Sequence, residues 1–263
     1  MIINVHGHIR TADDVDAQME HYHHPDLVHT WFAGDNAKVK EAFTKYADKA
    51  VGLGVLTEEA WHPRLIDQYH DEGFKGVKIF ALPEAFDSPT YYPIYEKAER
   101  YKMPIMFHTG FFELRPGQER GVISSLKTRP GCLDAIARAF PDLFIIGAHL
   151  GIPWCEEACY MAVHHKNIYF DLQGHPVRSL PYSRLKHLFM TSKQWGLRSL
   201  DEVVNERIVS KFVFGTGNFR VAEALEYHEK LFDTFDFSQE VREKILWRNA
   251  AVMLGIEKEL EAK

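Results

Sequence analysis

The chain has 263 residues, 46% of them hydrophobic and 26% charged, with a net charge of −6 at neutral pH and an isoelectric point near 6.2. This is an ordinary globular composition, long enough for one large α/β-barrel domain or two small ones. No basic stripe invites nucleic acid and no long apolar run suggests a membrane span, so neither is an expected partner. Cys132, Cys155 and Cys159 are an odd number without framework spacing, which points to a reducing, cytoplasmic location. The N-terminus reads directly as a strand, so no signal peptide is expected.

Apolar, β-rich runs recur along the chain. They span Ile2–Ile9, Leu27–Phe32, Ala50–Leu56, Gly76–Ala81, Pro104–Thr109, Leu143–Gly151, Ile168–Gly174 and Lys211–Thr216. Helical patterns lie between them at Lys38–Lys49, Glu58–Glu72, Pro93–Tyr101, Cys132–Phe140, Pro153–His165, Ser183–Gln194 and Val221–Phe232. A last helix, Gln239–Leu254, is predicted to stop at Gly255, a natural C-cap. Strands alternating with helices imply a parallel sheet, and near-continuous apolar strands imply burial on both faces. Eight such units match the size of a single (β/α)₈ TIM barrel spanning residues 1–263. The runner-up is a doubly wound open sheet, but no Gly-x-Gly-x-x-Gly follows the first strand.

The polar residues gather at strand ends. Residues two apart in a strand point to the same face, so His6 and His8 should project together. The fourth strand carries Lys78, the fifth ends at His108, the sixth at His149, and the seventh carries Asp171. Each has an ordinary reading as a satisfied structural group, a snorkelling lysine or a loop cap. Together, four histidines fall at the same end of three strands, and a closed barrel would bring them to one mouth. That arrangement predicts a shared divalent-metal site. Two other clusters are read as inert. Cys155 and Cys159 share a helix face and suit packing, and the run Glu20-His21-Tyr22-His23-His24-Pro25 is taken as a solvated surface stretch.

Several segments in order resemble the amidohydrolase superfamily, in the branch of metal-dependent TIM-barrel hydrolases related to aminocarboxymuconate-semialdehyde decarboxylase. They are His6-Gly7-His8, Gly73-Phe74-Lys75-Gly76-Val77-Lys78, His108, His149-Leu150-Gly151-Ile152-Pro153-Trp154, Phe214-Gly215-Thr216 and Asn249-Ala250-Ala251. The resemblance implies that His6, His8 and His108 bind one divalent metal, commonly Zn²⁺, and that His149 moves the proton. It also leads one to expect an Asp after the eighth strand, where this sequence has Gly217 followed by Asn218. Without that carboxylate the site would be more positive by one charge and should favour an anionic substrate.

Asp171 and Glu113 are the substitute carboxylates, with a supporting or loop role favoured for both. Lys78 is expected to fix a substrate carboxylate, with Asn218 and Arg220 as further substrate-binding candidates. The expected function is metal-assisted hydrolysis of a small ester, lactone or amide. The alternatives are non-oxidative decarboxylation of a small carboxylic acid at the same site, or a degenerate member that binds a small ligand. The expected partner is a small molecule, and a homodimer is allowed.

Overall fold

The computed structural model describes residues 1–111, 124–192 and 201–262. Seven parallel strands follow one another around the sheet: β1 (Ile2–Ile9), β2 (Leu27–Gly34), β3 (Ala50–Leu56), β4 (Gly76–Ile79), β5 (Ile105–His108), β6 (Ile145–Ala148) and β7 (Ile168–Asp171). A closing strand, Phe212–Val213, pairs with β7. The circuit is completed back to β1 by Val5 N–H to Phe214 O (2.9 Å), Gly217 N–H to His6 O (2.6 Å) and a parallel bridge between Gly7 and Gly217. Helices cover the outside between the strands. The protein is therefore the (β/α)₈ barrel that the alternation implies.

Two apolar clusters hold it together. The larger lies between strands and helices and includes Phe32, Ile79, Phe107, Ile145 and Phe170. The smaller fills the barrel floor with Ile3, Val5, Trp31, Met106, Ile146 and Val213, and is closed by Trp247 and Ala250 of the last helical segment. Cys155 and Cys159 are buried in the larger cluster and unpaired, as their spacing suggested.

Element bounds moved where local chemistry intervened. The helix expected from Glu58 starts at Pro63, with His62 capping it through its ring. The residue before a proline disfavours helical backbone, so the start is delayed. The helix expected from Lys38 starts at Asn36, because Asp35 accepts from the N–H groups of Ala37 and Lys38. The helix expected over Ser183–Gln194 runs Tyr182–Phe189. It then gives way to a short strand, Met190–Ser192, paired antiparallel to Glu202–Val204. Thr191 and Ser192 are poor helix formers that accept extended backbone readily. The expected C-cap is present, with Gly255 at φ 71°.

The run around His21 is not simply a solvated stretch. It closes a helix, Val15–His21, and Tyr22 is 2% exposed. The Tyr22 hydroxyl accepts from His8 N–H and donates to Gly217 O. It thereby ties the end of β1 to the end of the closing strand.

Candidate metal centre

β1 must serve two purposes. Its lower part packs the floor through Ile3 and Val5, while His6 and His8 have the opposite parity. Between Asn4 and Gly7 the strand advances three residues while β2 advances two, from Thr30 to Phe32. The extra residue re-aims the side chains beyond it, and both histidines enter the mouth. Their rings lie 4.8 Å apart.

The other predicted strand-end residues meet them there. The ring of His149 lies 5.2 Å from that of His6 and 4.9 Å from that of His108. His6 is 1% exposed, whereas His8, His108 and His149 are only partly covered, so the cluster opens outward. Lys78 reaches the same space from β4 and is fully buried. Its ammonium lies 5.7 Å from the ring of Phe80 and makes no hydrogen bond to any described residue. Phe80 in turn stacks on His108 at 5.3 Å.

Asp171 organises the group. Its Oδ2 lies 2.7 Å from His6 Nδ1, and its Oδ1 accepts from the N–H groups of His149 (2.8 Å) and Gln173 (3.1 Å). A carboxylate only accepts, so His6 carries its proton on Nδ1 and leaves the Nε2 lone pair free. Likewise His149 Nδ1 faces the carbonyl of Gln173 at 3.1 Å, which leaves its Nε2 as the basic nitrogen. An imidazole held through one nitrogen by a carboxylate or carbonyl is the usual support for a metal ligand or a base.

The electrostatics keep the imidazoles neutral. Burial, reinforced by Lys78, lowers His6 to about 4. Burial also pushes His8 and His108 well below the ordinary value and lowers His149. Burial lowers Lys78 to about 8, against the pull of Asp171. Burial alone would raise Asp171, but His6 and His149 hold it below the usual carboxylate range. The centre thus offers neutral nitrogen donors beside one buried carboxylate. Among the described residues, His6, His149 and Asp171 place potential ligand atoms within 4.8 Å of one another, a group that shares only His6 with the expected ligands His6, His8 and His108. Imidazoles gathered beside a carboxylate are donors that fit a divalent transition metal.

Asn218 and Arg220 do not join the cluster. Both are exposed on the rim. Asn218 Oδ1 accepts from the Arg10 guanidinium at 3.1 Å, and Arg220 occupies the N-cap position of the helix Val221–Thr234, its backbone N–H donating to Glu223 Oε2. Glu113 lies outside the described residues. Sequence reasoning missed Tyr22 and Gln173. For Gln173 a signal existed, because it stands two residues after Asp171 and a strand end would bring both to one side.

Comparison with known proteins agrees with this architecture. The family described as Amidohydrolase matches residues 11–256. No curated protein matches the sequence. Among solved structures, an uncharacterized TIM-barrel protein from Bordetella bronchiseptica has a TM-score of 0.63 at 22% identity, covering 91% of this chain and 81% of its own. A probable 2-pyrone-4,6-dicarboxylic acid hydrolase from Acinetobacter baumannii has a TM-score of 0.62 at 14% identity, covering 97% and 99%. A 5-carboxyvanillate decarboxylase from Novosphingobium aromaticivorans, complexed with manganese, has a TM-score of 0.61 at 14% identity, covering 97% and 96%. All three are similar to this chain in fold.

Proposed function

We propose that this chain, which belongs to the amidohydrolase family, is a metal-dependent hydrolase of a small anionic ester, lactone or amide. The observation that carries the reading is the convergence of His6, His8, His108 and His149 on one mouth, with Asp171 bound to His6 at 2.7 Å. His6, His8 and His108 would hold one divalent metal, with Zn²⁺ the expected ion. When bound, such a metal polarises a substrate oxygen and lowers the pKa of water towards about 7.

The chain's own residues supply the rest. His149 takes up and returns the proton at Nε2, since Nδ1 is committed to Gln173 O. Its lowered pKa keeps the ring unprotonated and ready to accept near neutral pH. Asp171 fixes the His6 ring and its tautomer. Lys78, a buried cation with no described hydrogen-bond partner, pairs with a substrate carboxylate.

Lys78 also favours a second reading, non-oxidative decarboxylation of a small carboxylic acid. The similar structures include one named as a dicarboxylic acid hydrolase and one named as a decarboxylase, so a carboxylate substrate suits both readings. Metal analysis of the purified protein comes first. A screen of small esters, lactones, amides and carboxylic acids then separates the two. Incorporation of ¹⁸O from labelled water supports hydrolysis, and CO₂ release supports decarboxylation. Protein that carries no metal after Zn²⁺ or Mn²⁺ supplementation sinks both.

A further inference from the structure

Gly217, just past the closing strand, and Gln173, just past β7, compete for one volume. Gly217 has φ +60°, a left-handed conformation that Asp and Asn also tolerate. The positive φ strains any side chain there, least an Asp or Asn, and the carboxamide of Gln173 adds a steric bar. A Cβ on Gly217 would lie 1.6 Å from Gln173 Nε2 and 2.3 Å from its Cδ. Gln173 arrives from the other side of the seam, two residues after Asp171. Its N–H donates to Asp171 Oδ1, its carbonyl takes His149 Nδ1–H, and its Nε2 reaches Thr216 O at 3.4 Å. The residue is 7% exposed, and its Oε1 has no hydrogen-bond partner among the described residues.

We propose that Gln173 supplies the side chain that closes the centre at this seam, in the volume a residue at 217 would need, and that its uncharged carboxamide makes the site selective for a carboxylate anion. The selectivity half rests on the metal reading above. The reason is charge. A carboxylate at this place would offset part of a dication's charge and repel an incoming anion. A carboxamide of the same shape does neither, so the positive field that a bound dication and Lys78 keep beside the one buried carboxylate, Asp171, is not reduced by a second. Gln173 is thus a specificity residue whose neutrality matters as much as its shape.

The test has two arms. In the first, the thermal stability of Gly217→Asp, Gln173→Ala and the double variant is measured as a cycle. Gly217→Asp alone should melt about 5 °C or more below the wild type, a typical shift for an overpacked site. Gln173→Ala removes all three atoms nearest the added Cβ and should restore the steric share of that loss in the double variant, leaving the share due to the positive φ. If Gly217→Asp melts with the wild type, or Gln173→Ala gives no rescue, the competition is overturned.

In the second arm, Mn²⁺ affinity and malonate affinity of the Mn²⁺-loaded protein are measured by calorimetry for the wild type and Gln173→Glu. The near-isosteric acid should bind Mn²⁺ at least about tenfold more tightly and malonate at least about tenfold more weakly. A merely structural role would not move the two in opposite directions. Unchanged or parallel shifts overturn the selectivity claim. A wild-type chain that binds no metal ends the functional reading and the selectivity claim with it, while the stability cycle still decides the competition.

Discussion

Asp171 Oδ2 lies 2.7 Å from His6 Nδ1, and the same carboxylate takes the backbone N–H of His149 through its other oxygen. One side chain on β7 therefore sets the ring of a β1 histidine and the backbone of the residue after β6. Because Asp171 is fully buried, removing its charge has no compensation from solvent.

Asp171→Asn tests that relationship. The amide would turn either its NH₂ or its oxygen towards His6. With the NH₂ there, the His6 proton moves to Nε2 and the ring cannot bind metal through that atom. With the oxygen there, the hydrogen bond survives but the charge is gone. Metal affinity should fall by about 10- to 100-fold, the usual cost of losing such a supporting carboxylate. Competition with a metal indicator measures it.

The double change His6→Ala and His8→Ala removes two converging imidazoles from the open end of β1, above the floor formed by Ile3 and Val5. Metal binding should be abolished while the far-ultraviolet circular dichroism stays close to that of the wild type. Elemental analysis of the two proteins after Zn²⁺ supplementation gives the comparison.

His149→Asn separates a base from a ligand. If His149 moves the proton, the variant keeps its metal and loses about 10²- to 10⁴-fold in rate. Loss of the metal would make it a ligand instead. Retention of both metal and full rate would direct attention to other proton acceptors.

Cys155 and Cys159 sit in the apolar layer, and burial raises both thiols, that of Cys155 to about 11. Thiols so far from ionising are inert packing groups. Changing both to Ala should leave metal content unchanged and lower the melting temperature by a few degrees.

Acid should destabilise the fold through its buried imidazoles. His228 donates from Nδ1 to Ala224 O, and burial lowers it to about 4. Its folded pKa is below the unfolded value of about 6.5, so the native state binds fewer protons and its stability is fully present above that value. It is lost as pH falls from about 6.5 towards about 4. The loss is about 1.4 kcal/mol per pH unit for each such group, or about 2 kcal/mol between pH 6.5 and 5. Denaturant titrations at both pH values should show it, with a smaller drop in His228→Gln.

The sequence alone determined the repeating unit and the neighbourhood of the site. The apolar runs at Ile2–Ile9 and Ala50–Leu56 match β1 and β3, because a strand buried on both faces must be apolar along its length. The histidines were legible because barrel strands all end at one mouth. The inter-strand relationships were not legible. The extra residue that turns His6 and His8 inward depends on the pairing of β1 with β2. The hold of Asp171 on His6 spans 165 positions. The volume above Gly217 belongs to Gln173 only because β7 and the closing strand lie side by side. Local sequence records which way a strand faces, but which side chain fills a shared volume is settled only when distant segments pack and exclude one another.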